Sequence, residues 1–256
     1  MARFRSARHD EHLTLVEHLD ELRTRLILAG VAFVAAFAVC AWQNHQILEI
    51  LNEPLPNDQK PLTLSPTEPF MTTLTVSAYG GLLLALPFVL YQLYAFVLPA
   101  FSPGERRIAL PLLLLVPVLF LGGVAFGYFV VLGRAVHFLL NFNDSEFNIQ
   151  VRARDYYSFV TLFLLSMGVM FQVPLAILAV TRLGITTPRQ LRQWRGYAYV
   201  LCAVVAALLP TVDPVSMLLE MVPLVILYEL SIVLASLFGQ PGGRTAPSTP
   251  SPEGTG

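Results

Sequence analysis

Apolar residues fill six stretches of this chain, Leu26–Trp42, Phe70–Leu98, Ile108–Val131, Tyr156–Thr181, Tyr197–Leu209 and Pro214–Phe238, and polar residues crowd the connections between them. Four of the stretches reach or exceed the ~20 residues that carry a helix across a ~30 Å hydrocarbon core, and the first falls just short by itself. Backbone amides in lipid must be satisfied inside the segment, so the pattern predicts helices rather than strands. The fifth stretch has about 13 apolar residues between Gly196 and Pro210. That is roughly 20 Å of helix, which crosses only if the bilayer thins or neighbours cover its ends.

Finer signals refine these elements. Leu15, Leu19, Leu22 and Leu26 recur at helical spacing over Leu13–Leu26, predicting an interfacial amphipathic helix that leads into the first span. Between spans one and two, Asn44–Pro69 combines five prolines with Ile47, Leu48, Ile50 and Leu51, the pattern of an ordered outer cap. Ser65-Pro-Thr-Glu68, Ser102-Pro-Gly-Glu105 and Thr187-Pro-Arg-Gln190 read as capping boxes with proline at the first helical position, and Asp155 as a cap for span four. Pro87, Pro111, Pro117, Pro174 and Pro223 lie inside spans and are expected to kink them, leaving a concave wall. Glu229 lies 15 steps, about 22 Å, from Pro214, which puts it near the interface of a thinned membrane.

Charge orients the spans. Charged residues are only 13% of the chain and hydrophobic ones 55%. If six spans alternate from a cytosolic N-terminus, twelve of the 16 cationic residues fall on the cytosolic side and four, Lys60, Arg134, Arg152 and Arg154, outside. The positive-inside rule then predicts cytosolic termini at both ends. The expected organisation is an all-α polytopic membrane protein: a cytosolic segment over 1–25, a six-helix transmembrane domain over 26–238, and a disordered cytosolic tail over 239–256, rich in Gly, Pro, Ser and Thr. No cleavable signal is evident, so the first span reads as retained. Cys40 and Cys202 sit in apolar runs and read as packing residues.

Chemistry has few places to live. Of five histidines only His137 lies near a span, and there is no HExxH, no GxSxG and no pair of intramembrane aspartates. A catalytic apparatus, a metal site, a cofactor site and a nucleotide or nucleic-acid site are not expected. An ion-coupled transporter would need intramembrane ionisable groups, and Glu220 and Glu229 are the candidates. Nine residues apart, they point to opposite sides of one helix; Gln172 adds a polar group beside Pro174. A third class is a binding scaffold. Glu21, with Glu17 one turn away, and Glu105 could each take a guanidinium in bidentate fashion, a geometry lysine does not reproduce. The plainer reading gives Glu21 an i,i+4 pair with Arg25 and Glu105 a capping role.

Several motifs then narrow the choice. His18-Leu-Asp-Glu-Leu-Arg-Thr-Arg25, Ser65-Pro-Thr-Glu-Pro-Phe70 and the stretch Tyr91–Arg107 closely resemble those of the TatC family, the multispanning receptor subunit of the twin-arginine protein translocase. Phe126-Gly-Tyr-Phe129, Phe171-Gln-Val-Pro174, Gly184-Ile-Thr186 and Tyr228-Glu229 extend the match over about residues 12–238. The resemblance implies six helices in a cup-like wall, binding of signal peptides with consecutive arginines, and export of folded proteins on the proton gradient with single-span TatA/TatB-type partners. It also implies a cell-membrane location, self-association within a receptor complex, and no enzymatic step. By the same resemblance Glu21 and Glu105 are signal-binding, with Arg23 and Phe96 in the same stretches. Partners would dock along spans five and six, where Pro210, Thr211 and Asp213 match the outer hairpin. Two positions depart from the family pattern: Gln172 stands where many relatives have Glu, and Met217 where many have Gln. Glu220, one turn on from Met217, is a candidate replacement.

Overall fold

The computed structural model describes residues 15–56, 60–97, 103–142, 146, 149–182, 184–208 and 214–238. They form the expected all-α fold. Among the described residues the one strand-like feature is a bridge between Leu62 and Arg152. The segment 1–14, the hairpin residues Pro210, Thr211 and Asp213, Ser102 and the tail 239–256 lie outside the described residues.

α1 (Leu15–Trp42) runs unbroken, so the amphipathic segment and the first span are one helix. α2 (Asn44–Asn52) forms the apolar part of the cap. α3 (Glu68–Val97) continues through Pro87 for 30 residues. The third span reaches further than its apolar run suggested. α4 (Pro103–Phe126), a π-helical segment (Gly127–Leu132) and α5 (Gly133–Asn141) follow one another to Asn141 rather than stopping at Val131. The wider π turn, rather than a proline alone, interrupts the regular ladder here.

Span four divides into α6 (Ala153–Met170) and α7 (Val173–Arg182). Pro174 has no N–H to continue the ladder, and the Gln172 amide turns to the Val169 carbonyl at 2.9 Å. α7 stops at Gly184, whose φ of 71° suits glycine. The Ile185 N–H reaches the Val180 carbonyl and the Gly184 N–H that of Thr181, the two bonds of a Schellman end. α8 (Pro188–Gln193), α9 (Arg195–Leu208) and α10 (Pro214–Phe238) complete the chain. Among the described residues five stretches are long and apolar enough to cross a membrane, and Arg195–Ala207 is the short one that its sequence foretold.

The expected caps divide. Thr187 and Gln190 form the reciprocal box, with the Gln190 N–H on Thr187 Oγ1 at 3.3 Å and the Thr187 N–H on Gln190 Oε1 at 2.9 Å. Glu68 does not reach back to Ser65; it accepts from the Leu64 N–H at 2.9 Å and from Arg152 Nε, also at 2.9 Å. Asp155 is not the cap of α6: Arg152 holds that position, and Asp155 sits within the first turn.

The helices line up as a wall. α1 packs chiefly on α3, α3 on α4 and α6, α7 on α10, and α9 on α10 at the far edge. Half of the hydrophobic window of α6–α7 is buried against 11% of that of α1, so α6 is the central helix and α1 a peripheral one. Small residues set the closest approaches. A Cβ at Gly81 would lie 2.7 Å from Phe37 Cα, and one at Gly123 would lie 2.7 Å from the Met167 carbonyl oxygen. Without a hydrophobic drive between helices in lipid, such close backbone approach is what holds them.

The cap is tied to this core. The Tyr156 hydroxyl donates to the Leu51 carbonyl at 2.7 Å, Tyr157 to Asn52 at 2.9 Å, and Tyr128 to the Ile50 carbonyl and Glu53 at 2.7 Å each. Glu68 is buried while its partner Arg152 is part exposed. Removing the arginine therefore strands a buried carboxylate, whereas Glu68→Gln leaves a guanidinium that water can reach. Arg152→Ala is expected to lower the thermal midpoint of the purified protein more than Glu68→Gln, by on the order of 5 °C. Equal midpoints would show that the pair does not anchor the cap.

Candidate functional site

α1 and α3 run antiparallel, as the contacts Phe37 to Gly81 and Cys40 to Gly80 require. The N-terminal turns of α1 therefore meet the last turns of α3. There Arg25 donates from Nε and Nη2 to Glu21 Oε1 at 3.0 and 2.5 Å, and from Nη1 to the Gln92 carbonyl and side-chain oxygens at 3.1 and 2.9 Å. The i,i+4 pair expected from the sequence is present, and it is also a tether between two helices. Among the described residues no donor reaches Glu21 Oε2, and the side chain is 29% exposed. Asp20, Thr24 and Leu28 join Glu21, Arg25 and Gln92 around an open groove of about 480 Å³. This end already places a guanidinium on a carboxylate.

Phe96 lies one turn beyond Gln92 on the same side of α3 and is half-buried. Arg23 is exposed on α1. Glu105 is the third residue of α4, eight residues beyond the end of α3, against which α4 packs. The placement of its side chain lies outside the described residues. Gln92 was not singled out from sequence, although the Tyr91–Arg107 motif contains it; only the tether gives it a task.

The second group lies on α9 and α10. Glu220 is fully buried and Met217 half-buried against the core, so Glu220 turns inward. The outward stripe of α10 is apolar, with Leu218, Val222 and Ile226 exposed, and α9 exposes Tyr197, Val200 and Val204. Glu229 accepts from Arg195 Nη2 at 2.7 Å and from the Tyr199 hydroxyl at 2.5 Å, fastening the two helices near the start of α9. It is committed to a bridge within the chain, so Glu220 and Glu229 form no single site. Gln172 is buried at the α6–α7 break and donates to the Val116 carbonyl at 3.2 Å, across to α4. Among the described residues no cluster of His, Cys, Asp or Glu is placed to hold a metal ion. Cys40 and Cys202 are free thiols packed among apolar side chains.

A family model described as Sec-independent protein translocase protein (TatC) matches residues 17–223. A Sec-independent protein translocase protein TatC of Koribacter versatilis is 34% identical over 235 residues, covering 88% of this chain and 86% of its own. That of Aquifex aeolicus is 35% identical over 230 residues, covering 88% and 95%. A crystal structure of the twin arginine translocase receptor TatC superposes with a TM-score of 0.77 at 35% identity, covering 86% of this chain and 99% of that one. A family model matched over most of the chain, relatives about 34% identical along most of their length and a solved structure of the same fold place this chain in the TatC family of Sec-independent protein translocases.

Proposed function

We propose that this protein is the receptor that takes twin-arginine signal peptides on the face bearing Glu21 and Glu105. With TatA/TatB-type single-span partners it exports folded proteins on the proton motive force. The observation that carries this reading is Glu21. Its Oε1 holds a guanidinium that is itself pinned to α3, and its part-exposed side chain lines an open groove. A bidentate, charge-assisted pair at the edge of lipid favours arginine over lysine. Glu105, in the first turn of α4, supplies the carboxylate for the other arginine. Arg23 and Phe96 border the apolar part of the signal.

The orientation follows from charge. Counting α9 as a sixth crossing, the Glu21 end, the segment 1–25 and the tail 239–256 lie in the cytosol and the α2 cap outside, in the cytoplasmic membrane. Partner helices dock along the apolar stripes of α9 and α10, with Pro210, Thr211 and Asp213, which lie between these helices in the sequence, belonging to the same docking region. Met217 and the buried Glu220 support that face from behind, and Gln172 supplies a hydrogen bond within the wall rather than a charge. The receptor associates with further copies of itself in the complex. No step is covalent.

The test uses the full chain in nanodiscs and two peptides that differ only in Arg-Arg against Lys-Lys. Arg-Arg is expected to bind at least about tenfold more tightly, the worth of one lost bidentate contact. Equal affinities would remove the carboxylate reading.

A further inference from the structure

At the end opposite Glu21, the first turns of α3 and α6 enclose a cavity of about 530 Å³. Its wall is hydroxyl-rich, including Thr72, Thr75, Tyr79 and Ser158. Thr72 is only 7% exposed, and among the described residues its Oγ1 has no hydrogen-bond partner. Other helix hydroxyls in this protein bond the carbonyl one turn back: Ser77 to Thr73 at 2.8 Å, Thr161 to Tyr157 at 2.6 Å, Ser166 to Leu162 at 2.8 Å. Thr72 makes no such bond, and a buried hydroxyl without a partner is costly. It needs a polar ligand.

The charge of the cavity says which. Arg152 is neutralised by Glu68. The carboxylate is occupied by donors, the Leu64 N–H and Arg152 Nε and Nη2, with the Arg154 backbone N–H beside them. Arg154 lines the same cavity, is exposed, and makes no ion pair among the described residues. The site is thus left with one positive charge and no spare carboxylate to attract an amine. Its depth says where the ligand comes from. Glu68 and Arg152 on its wall stand where two spans begin, the level at which phospholipid phosphates lie. Met71 and Leu74, exposed just below on α3, offer an apolar track for an acyl chain.

We propose that this cavity between α3 and α6 binds the phosphodiester headgroup of an anionic, hydroxyl-bearing phospholipid, with Arg154 on the phosphate and the Thr72 and Ser158 hydroxyls on the headgroup. The lipid comes from the leaflet that faces the α2 cap.

The experiment delipidates the full chain in a non-ionic detergent and measures lipid binding by native mass spectrometry. The probes are phosphatidylglycerol, phosphatidylethanolamine and inorganic phosphate. Wild type is expected to retain phosphatidylglycerol and to bind phosphatidylethanolamine about tenfold more weakly. Arg154→Gln is expected to lose about tenfold in phosphatidylglycerol affinity, and Thr72→Val about threefold. Arg154 is exposed, so its replacement spares the fold, and an unchanged melting curve checks this. Equal binding by wild type and Arg154→Gln, or no preference between the two lipids, overturns the proposal. Displacement of the lipid by inorganic phosphate also overturns it, by marking a small-anion site. Because twin-arginine binding occurs at the other end, Arg-Arg peptide affinity in Arg154→Gln separates failure of this site from failure of the receptor reading.

Discussion

Gly123→Leu is expected to cost the folded protein about 3 kcal/mol, while Gly122→Leu, one residue earlier, costs almost nothing. A Cβ at Gly123 would lie 2.7 Å from the Met167 carbonyl oxygen and 2.7 Å from Phe171 Cγ, whereas at Gly122 nothing lies within 4 Å. The obstacle at Gly123 includes backbone of the central helix α6, which no side-chain rotation relieves. Nearby, a Cβ at Gly168 would lie 2.6 Å from a ring carbon of the fully buried Phe120, so the approach is tight from both helices. Forcing α4 away from α6 also stretches the Gln172 bond to Val116. Thermal unfolding of the two purified variants, with in-membrane abundance alongside, checks this. Comparable midpoints would mean that the α4–α6 contact is more compliant than its distances indicate.

The second large effect falls on recognition. Glu21→Gln together with Glu105→Gln is expected to lower Arg-Arg peptide affinity roughly 100-fold or more, since each change removes a charge-assisted contact worth about 1.5–3 kcal/mol. Glutamine keeps the size of Glu21 and still accepts from Arg25, so the α1–α3 tether through Gln92 survives. The loss is therefore expected with little change in stability. Each single variant should lose part of the affinity, and Lys-Lys peptide, weak from the start, should change much less. Fluorescence anisotropy in nanodiscs reads all of these. Unchanged Arg-Arg affinity in the double variant would reduce Glu21 to a helix tether and Glu105 to a cap.

Local rules accounted for much of what formed. The Thr187–Gln190 box and the short α9 follow from residues a few positions apart, and the structure has them where the pattern put them. The misses share a cause. Ser65-Pro-Thr-Glu68 has the spelling of a capping box, but an arginine 84 positions later claims the carboxylate. The third span ends well past its apolar run because the helix continues through Gly133 to Asn141. Separately, Glu220, a candidate replacement for the polar residue missing at Met217, is fully buried where α10 packs on α7 and α9.

The sequence by itself determined the class of the molecule, its apolar helices, its charge asymmetry and its family. These rest on hydropathy and on motifs contiguous in the chain, which a bilayer reads segment by segment. Only the tertiary structure decided what each polar side chain faces. That Arg25 spans Glu21 and Gln92, that Glu229 joins α9 to α10, and that Thr72 stands without a partner in a cavity beside Arg154 are all consequences of which helices touch. In a wall built of nearly uniform apolar helices, that choice is made by close packing at a few glycines, and hydropathy does not record it.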